Sequence, residues 1–212
     1  MKFERLVVDI DTNCYVIYDD NTLETIIIDP GNNSKKIIDF IDKKELRPKE
    51  IVLTHCHYDH IRAVGDLKDL YKCSVAIHKN DVRGLKDPKI NLSKKGLKKQ
   101  ISIVADKVLL DKSVIKAGEV GLRVIHTPGH TPGSICLKVK NEDIVFTGDT
   151  VFVDGVGRWD LEGGDEKKMK GTLINKVSKW DDKIKIYPGH GESGSMEYIR
   201  KSNREFLSII NR

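Results

Sequence analysis

Between positions 55 and 60 the chain reads His55-Cys56-His57-Tyr58-Asp59-His60, three imidazoles and a carboxylate within six residues. A single histidine is ordinarily a hydrogen-bonded core residue. Several adjacent imidazoles carry a burial cost without a structural return, whereas a divalent cation uses them directly, since neutral imidazole is the commonest metal ligand and carboxylate oxygen joins it readily. In extended backbone, side chains two apart face the same way. His55 and His57 can therefore share one ion while Cys56 turns away from them. Asp59 and His60, where the chain enters a helix, are placed to face a neighbouring ion. Such ions activate water, lowering its pKa to about 7.

Three more metal-type ligands stand at the ends of short apolar runs. These are Val124-Ile125-His126-Thr127-Pro128-Gly129-His130, Ile144-Val145-Phe146-Thr147-Gly148-Asp149 and Ile184-Lys185-Ile186-Tyr187-Pro188-Gly189-His190. Each repeats the form of Ile51-Val52-Leu53-Thr54-His55: a strand, a tight turn, a ligand. Ligands at neighbouring strand ends converge on one edge of a sheet, and a glycine before each of the last three lets the backbone turn sharply. Five of the seven histidines fall in this pattern.

Apolar periodicity predicts strands near 5–9, 14–18, 24–29, 51–54, 74–78, 107–110, 121–126, 134–140, 143–147 and 184–187. Hairpin turns are predicted at Asp19-Asp20-Asn21 and Lys140-Asn141-Glu142-Asp143. Ser34 can cap a helix that buries Ile37, Ile38 and Ile41. A second helix presents Val64, Leu67, Leu70 and Tyr71. A third, capped by Asp165, carries Met169, Leu173 and Val177 at i, i+4, i+8. A C-terminal helix from about Ser195 bears Ile199, Phe206 and Ile210. Residues 80–106 are lysine-rich and poorly periodic, a helical or loop insertion. Strands alternating with helices, with both hairpins and crossovers, imply an α/β architecture, a mixed sheet covered by helices. With 212 residues and no linker-like tract, residues 1–212 are expected to form one domain.

Hydrophobic residues make up 39% and charged residues 33%, a folded rather than a disordered composition. No apolar stretch approaches the roughly 20 residues of a membrane span, and the charged start Met1-Lys2-Phe3-Glu4-Arg5 lacks a secretory h-region. A cytoplasmic protein with no membrane partner is expected. Cys14, Cys56, Cys73 and Cys136 show no Cys-x-x-Cys spacing, so reduced thiols are expected rather than a disulfide framework. The net charge of +5 gathers in lysines between Lys79 and Lys116. A solvated surface is the preferred reading over a nucleic-acid partner.

The His-x-His-x-Asp-His run followed by separated His, Asp and His ligands resembles the metallo-β-lactamase superfamily, from Asp29-Pro30-Gly31 to Pro188-Gly189-His190-Gly191. The resemblance implies a four-layer αββα sandwich of two mixed sheets with two divalent metal ions between them. It implies His55, His57 and His130 as ligands of the first ion, Asp59, His60 and His190 as ligands of the second, and Asp149 as a bridging carboxylate. The ions would lie roughly 3.5–4 Å apart and share a hydroxide. Zinc is the expected metal, and iron or manganese suits the same donors. Thr127-Pro128-Gly129-His130-Thr131-Pro132-Gly133-Ser134, Gly148-Asp149-Thr150-Val151-Phe152 and Gly155-Val156-Gly157-Arg158-Trp159-Asp160 are similar to the glyoxalase II branch, hydroxyacylglutathione hydrolases. This implies hydrolysis of a small-molecule thioester, with Asp59 also orienting the nucleophile. With Arg212 as the last residue, the helical C-terminal domain with which larger members hold glutathione is expected to be absent, so the thiol carrier is left open.

Tyr58 can line the pocket mouth or simply pack. Arg158 can orient substrate or pair with Asp160 to stabilise its loop. Cys56 reads as a small buried residue, and His78 and His126 as structural or supporting. One rival within the superfamily is a persulfide dioxygenase, with a single iron on His55, His130 and Asp149. A nuclease and a non-catalytic metal-binding module rank below it, and the oligomeric state is open.

Overall fold

Successive side chains of a strand point to opposite faces, and this sets the layering. The computed structural model describes residues 1–211. One sheet holds β1 (Lys2–Val7), β2 (Asn13–Tyr18), β3 (Glu24–Ile28), β4 (Arg47–Leu53), β5 (Ser74–His78) and β6 (Lys107–Leu109) in that spatial order. The first three strands pair antiparallel and the rest parallel. Tyr15, Ile17, Ile26, Ile28 and Val52 face the second sheet, while Val16, Ile27, Ile51 and Leu53 face helices α1 (Ser34–Lys43) and α2 (Val64–Tyr71). Both faces are covered, so runs such as Ile26-Ile27-Ile28 are continuously apolar. The segment between β5 and β6 carries two short helices, α3 (Val82–Lys86) and α4 (Ser93–Gly96).

The second sheet runs, from one edge, β12 (Gly194–Ser195), β11 (Lys185–Pro188), β10 (Ile144–Gly148), β9 (Ile135–Val139), β8 (Val120–His126) and β7 (Val114–Ala117). Only β10 and β11 are parallel. Its inner face presents Leu122, Val124, Leu137 and Phe146 to the first sheet. Its outer face packs Cys136, Val145 and Ile186 on α5 (Glu166–Asn175), α6 (Met196–Ser202) and α7 (Arg204–Ile210). The result is the expected four-layer αββα sandwich. Among the described residues no helix is long and apolar enough to cross a membrane, and the four cysteines are unpaired and buried.

Several local expectations need correction. Asn33, not Ser34, caps α1, its side chain accepting from the Lys36 amide. Ile37 and Ile41 are fully buried there, Ile38 only partly. Leu70 is exposed, since at 3.6 residues per turn it falls off the face that Val64 and Leu67 bury. β7 was not anticipated, since four alternating residues are too few for a clear periodic signal. The predicted C-terminal helix is broken at Asn203, whose side chain caps α7 by accepting from the Phe206 amide. Its amide nitrogen donates to the carbonyls of Phe152 and Gly155, so the break anchors the loop that follows Asp149. Asp165 caps α5 as expected.

The ends of β4, β8, β10 and β11 meet at one edge of the sandwich, where the two sheets are stitched together. The Tyr15 hydroxyl donates to the Pro188 carbonyl at 2.7 Å, and the Asn13 amide to the Gly189 carbonyl at 2.7 Å. From the other side, the Ile135 amide donates to the Thr54 carbonyl at 2.9 Å.

Candidate metal centre

The strand β4 delivers His55, and the turn that follows brings His57, Asp59 and His60 to the same edge. His130 arrives on the turn after β8, Asp149 directly after β10 and His190 after β11. All seven predicted ligands come together. The ligand-type atoms of His55, His57 and His130 lie within 4.8 Å of one another, and those of Asp59, His60 and His190 do likewise. Asp149 stands between the sets. Its Oδ2 is 3.5 Å from His130 Nε2 and 3.4 Å from His190 Nε2, and its Oδ1 is 3.5 Å from His60 Nε2.

The outer ring nitrogens show why these imidazoles aim inward. His55 Nδ1 meets Thr54 Oγ1 at 3.1 Å, and that hydroxyl donates to Asp29 Oδ2 at 2.6 Å. His60 Nδ1 meets the same Asp29 oxygen at 3.1 Å, His190 Nδ1 meets Asp11 at 3.1 Å, and His130 Nδ1 donates to the Arg158 carbonyl at 2.7 Å. Each of these bonds holds a proton on the outer nitrogen, so that in the neutral ring the other nitrogen's lone pair faces the centre. His57 Nδ1 lies 2.9 Å from His130 Nε2. His55 Nε2, His57 Nε2 and Asp149 Oδ1 are buried without hydrogen-bond partners. Unpaired buried polar atoms cost ~1–3 kcal/mol each, and a cation between the rings satisfies His55 Nε2 and Asp149 Oδ1. The donor set therefore fits divalent metal ions. A further grouping, Asp29 with His55 and His60, is accounted for by the hydrogen bonds just given.

Electrostatics divide the two sets. Burial, with His60 adjacent, pushes His55 well below its ordinary value, and burial with His130 brings His57 down to about 3. Both rings are held neutral and ready to ligate. For His60, burial acts downward, but the carboxylates of Asp149 and Asp59 and the bond to Asp29 outweigh it and raise the ring to about 9. For His190 burial is likewise outweighed, by Asp149 and Asp59, and the ring rises to about 11. Burial works against ionisation of Asp59 and Asp149 too. His60 and His190 nonetheless bring Asp59 to about 2 and, with His55 and His130, hold Asp149 well below the usual carboxylate range.

Three supporting carboxylates were not singled out from sequence: Asp29, Asp11 and Asp81. Asp29 is a non-glycine residue at φ 48°, and it also accepts from the Thr54 amide. Asp81, 1% exposed, links the ligand turns by accepting from the Cys56 amide, the Thr131 hydroxyl and the Gly133 amide at 3.1, 2.7 and 2.6 Å. Replacing Asp81 by alanine leaves the buried Cys56 and Gly133 amides unpaired, while the Thr131 hydroxyl keeps Ser134 Oγ at 2.7 Å, and is expected to cost about 2 kcal/mol or more. A shifted urea midpoint with an unchanged slope is the readout, and an unshifted midpoint would contradict the linking role.

The expected reason for the glycines holds in part. Gly129 and Gly148 take positive φ. Gly189 does not, and is needed for space instead: a Cβ there would lie 2.2 Å from Asp149 Oδ1 and 2.7 Å from His60 Cε1. Gly189→Ala should destabilise the protein by about 1–3 kcal/mol through overpacking, measured by urea unfolding. A neutral result would mean that the turn yields freely.

Tyr58 and Arg158 both line the cavity above the centre, with Leu92, Phe152, Val156 and Leu161. The Arg158 guanidinium is taken by Asp160, two bonds of 2.7 Å, so its loop-stabilising reading is the one the geometry favours. Cys56 is fully buried on the far side, with the Gly84 backbone close to its Sγ, and burial pushes its thiol well up. His78 and His126 stack at 4.0 Å away from the ligand sets.

Two sheets in an αββα sandwich with histidine and aspartate clusters at one edge define a metal-binding hydrolase fold. The chain belongs to the metallo-beta-lactamase superfamily, which it matches over residues 7–190. It is 33% identical over 195 residues to the probable metallo-hydrolase YqgX of Bacillus subtilis, covering 90% of each chain. It is 29% identical over 193 residues to the hydroxyacylglutathione hydrolase GloC of Haemophilus influenzae, covering 90% of this chain and 91% of the other. Among solved structures it superimposes on the BLEG-1 B3 metallo-beta-lactamase with a TM-score of 0.89 and 32% identity, over 96% and 98% of the two chains. The di-iron-bound form of TTHA1623 gives a TM-score of 0.83 and 26% identity, over 96% and 99%.

Proposed function

We propose that this chain is a binuclear metallohydrolase of small-molecule thioesters, in the manner of a hydroxyacylglutathione hydrolase. The observation that carries the reading is the pairing of two three-ligand sets around one buried carboxylate, Asp149, whose Oδ1 has no hydrogen-bond partner. His55, His57 and His130 would hold the first ion, Asp59, His60 and His190 the second, and Asp149 both. When bound, such ions lower the pKa of water and polarise a carbonyl. Zinc is the first candidate, with iron supported by the di-iron form of the similar TTHA1623.

The chain's own residues supply the rest. Asp59, ionised and partly exposed at the cavity floor, accepts a hydrogen bond from the attacking water and orients it. Phe152 and Val156 give an apolar wall that excludes bulk water from the reacting bond. Tyr58 contacts the substrate at the mouth. A thiolate leaves readily, so no strong general acid is needed. The similarity to GloC and the turns around His130 and Asp149 favour a thioester.

The similarity to the BLEG-1 B3 metallo-beta-lactamase favours a second acyl substrate, a β-lactam. The single-iron persulfide reading has some support from the similarity to ETHE1 from Myxococcus xanthus, at a TM-score of 0.81 and 25% identity, but it uses only His55, His130 and Asp149 of the seven clustered residues. Metal analysis of the purified chain, paired with assays on lactoylglutathione, a simple acetyl thioester, a β-lactam and glutathione persulfide, separates these outcomes. Two ions per chain with thioester cleavage are expected. One iron with oxygen uptake on the persulfide would replace the reading, and lactam cleavage alone would move it to the second substrate.

A further inference from the structure

Two hollows meet above the metal centre. The inner one, of 470 Å³, holds the ligand side chains at its floor, and its other walls are largely apolar, with Phe152 and Val156. The outer one, of 500 Å³, lies between Lys95-Gly96 on one lip and Asp160 and Glu162 on the other. Tyr58, Leu92 and Leu161 line both hollows and so stand at the boundary between them. The lips are bridged at one point, where Lys89 Nζ approaches Glu162 Oε1 at 3.6 Å.

Leu92 holds its place against its own conformational preference. Its backbone is left-handed, φ 66° and ψ 0°, an outlier for a bulky side chain. Such strain persists only where the surroundings over-determine it, and it clusters at functional sites. Here they do. The buried Asn91 donates from its side chain to the Ile101 carbonyl at 2.9 Å and accepts from the Ser93 amide at 3.0 Å. Ser93 Oγ accepts from the Ile101 amide at 2.9 Å, and the Asn91 carbonyl accepts from the Tyr58 amide at 2.9 Å. The lysine-rich segment is thus fastened to the ligand turn itself. A Cβ on Gly96 would lie 2.7 Å from the Tyr58 ring, so the segment also fits closely around the second boundary residue. Glycine or asparagine would adopt this backbone at less cost. A leucine at this point presents an apolar side chain to the cavity.

The polarity of the hollows orients a substrate. The outer one carries Lys95, Asp160 and Glu162, suited to a polar thiol carrier, while in the inner one Asp11 is taken by His190 and Arg158 by Asp160, which leaves Phe152 and Val156 to face a compact acyl group. We propose that Leu92 is a specificity-determining residue: with Tyr58 and Leu161 it makes a neck that accepts a thiol half beginning as a slender, unbranched aliphatic arm and disfavours one branched near sulfur, as in a cysteinyl peptide. The inference rests on the thioester reading and names its substrate class.

The test compares zinc-loaded full-length protein on the acetyl thioesters of N-acetylcysteamine, which is linear, and of glutathione, which is branched. The wild-type chain should favour the linear ester in kcat/KM. Leu92→Ala should reduce that preference roughly tenfold, the scale on which one small group counts in an apolar site, mainly through KM for the branched ester. Leu161→Ala, across the neck, should act in the same direction. A preference unchanged by both replacements overturns the proposal, as does a wild-type preference for the branched ester. Calorimetric titration with free N-acetylcysteamine and free glutathione reads the same neck without turnover. If the wild-type chain cleaves neither ester yet the thiol preference narrows in Leu92→Ala, the neck stands and the thioester reading falls. Cleavage with no shift in either ratio removes the neck alone.

Discussion

Asp59→Ala is expected to lower kcat/KM for thioester hydrolysis by ~10³-fold at saturating metal, within the range that a positioned acid–base group contributes. The carboxylate lies 3.3 Å from His190 Nε2 and 3.5 Å from His60 Nε2, so its removal strips the second set of its one unshared anion. It also takes away the acceptor that orients water. Its side chain is 27% exposed, and the fold should tolerate the change, as near-native circular dichroism would show. Asp59→Asn separates the two roles. The amide keeps the volume and one oxygen but loses the charge, so it should remain deeply impaired even when metal content is restored. Wild-type turnover in Asp59→Ala at full metal loading would end the assignment.

The second large effect concerns pH. With no metal bound, His60 and His190 are held as imidazolium ions by Asp59 and Asp149, with pKa values raised to about 9 and about 11. An ion entering this set must displace both protons, whereas Asp59 is already ionised. Affinity of the second set should therefore rise about 100-fold per pH unit up to about pH 9. Its loading at pH 7 should release two protons, read by calorimetry in buffers of different ionisation enthalpy. His55 and His57 are held neutral, so the first set should load with little release from them. Stability of chelator-treated protein follows the opposite course. Because both folded-state values lie above the ordinary histidine value of ~6.5, the stabilising pairs are complete below that pH and are lost as pH rises through about 9 and then 11. A urea midpoint that climbs over this interval, or metal binding without proton release, would count against the charged pairing.

The ligands were legible in the sequence for a local reason. His55 to His60 are packed into six positions, and the other three each close a short apolar run, so type and spacing alone betray them. Their supporters act across the fold. Asp29 reaches His60 over 31 residues, Asp81 reaches Thr131 over 50, and Asp11 reaches His190 over 179. Aspartates in turns are common for their own backbone bonding, so nothing in their spacing sets these apart. For Asp29, the departure from a glycine at a left-handed position becomes visible only with the backbone angles in hand. The four layers were implied by the family resemblance; the apolar runs of β2, β3 and β4 mark strands, but with both faces buried they carry no alternation to say which face meets which layer. The two C-terminal helices were not told apart, because Ile199, Phe206 and Ile210 keep helical spacing across a break that only the Asn203 side chain explains. The segment 80–106 gave no periodic signal because its order comes from the bonds of Asn91 and Ser93 rather than from an apolar stripe.

The stitching of the two sheets at the ligand edge has a consequence for biosynthesis. The first three-histidine set is complete in the chain once His130 has been made, but the second waits for His190, which comes in with β11 after most of the second sheet. The hydrogen bonds that seat that last turn, from the Asn13 amide to Gly189 and from the Tyr15 hydroxyl to Pro188, join an early strand, β2, to a late one. A growing polypeptide therefore carries a cluster of imidazoles on its first half well before it can close the cavity around them. Full metal loading belongs after translation, when the last segment docks against the first, and a ribosome-bound chain halted before His190 should retain one set and lack the other.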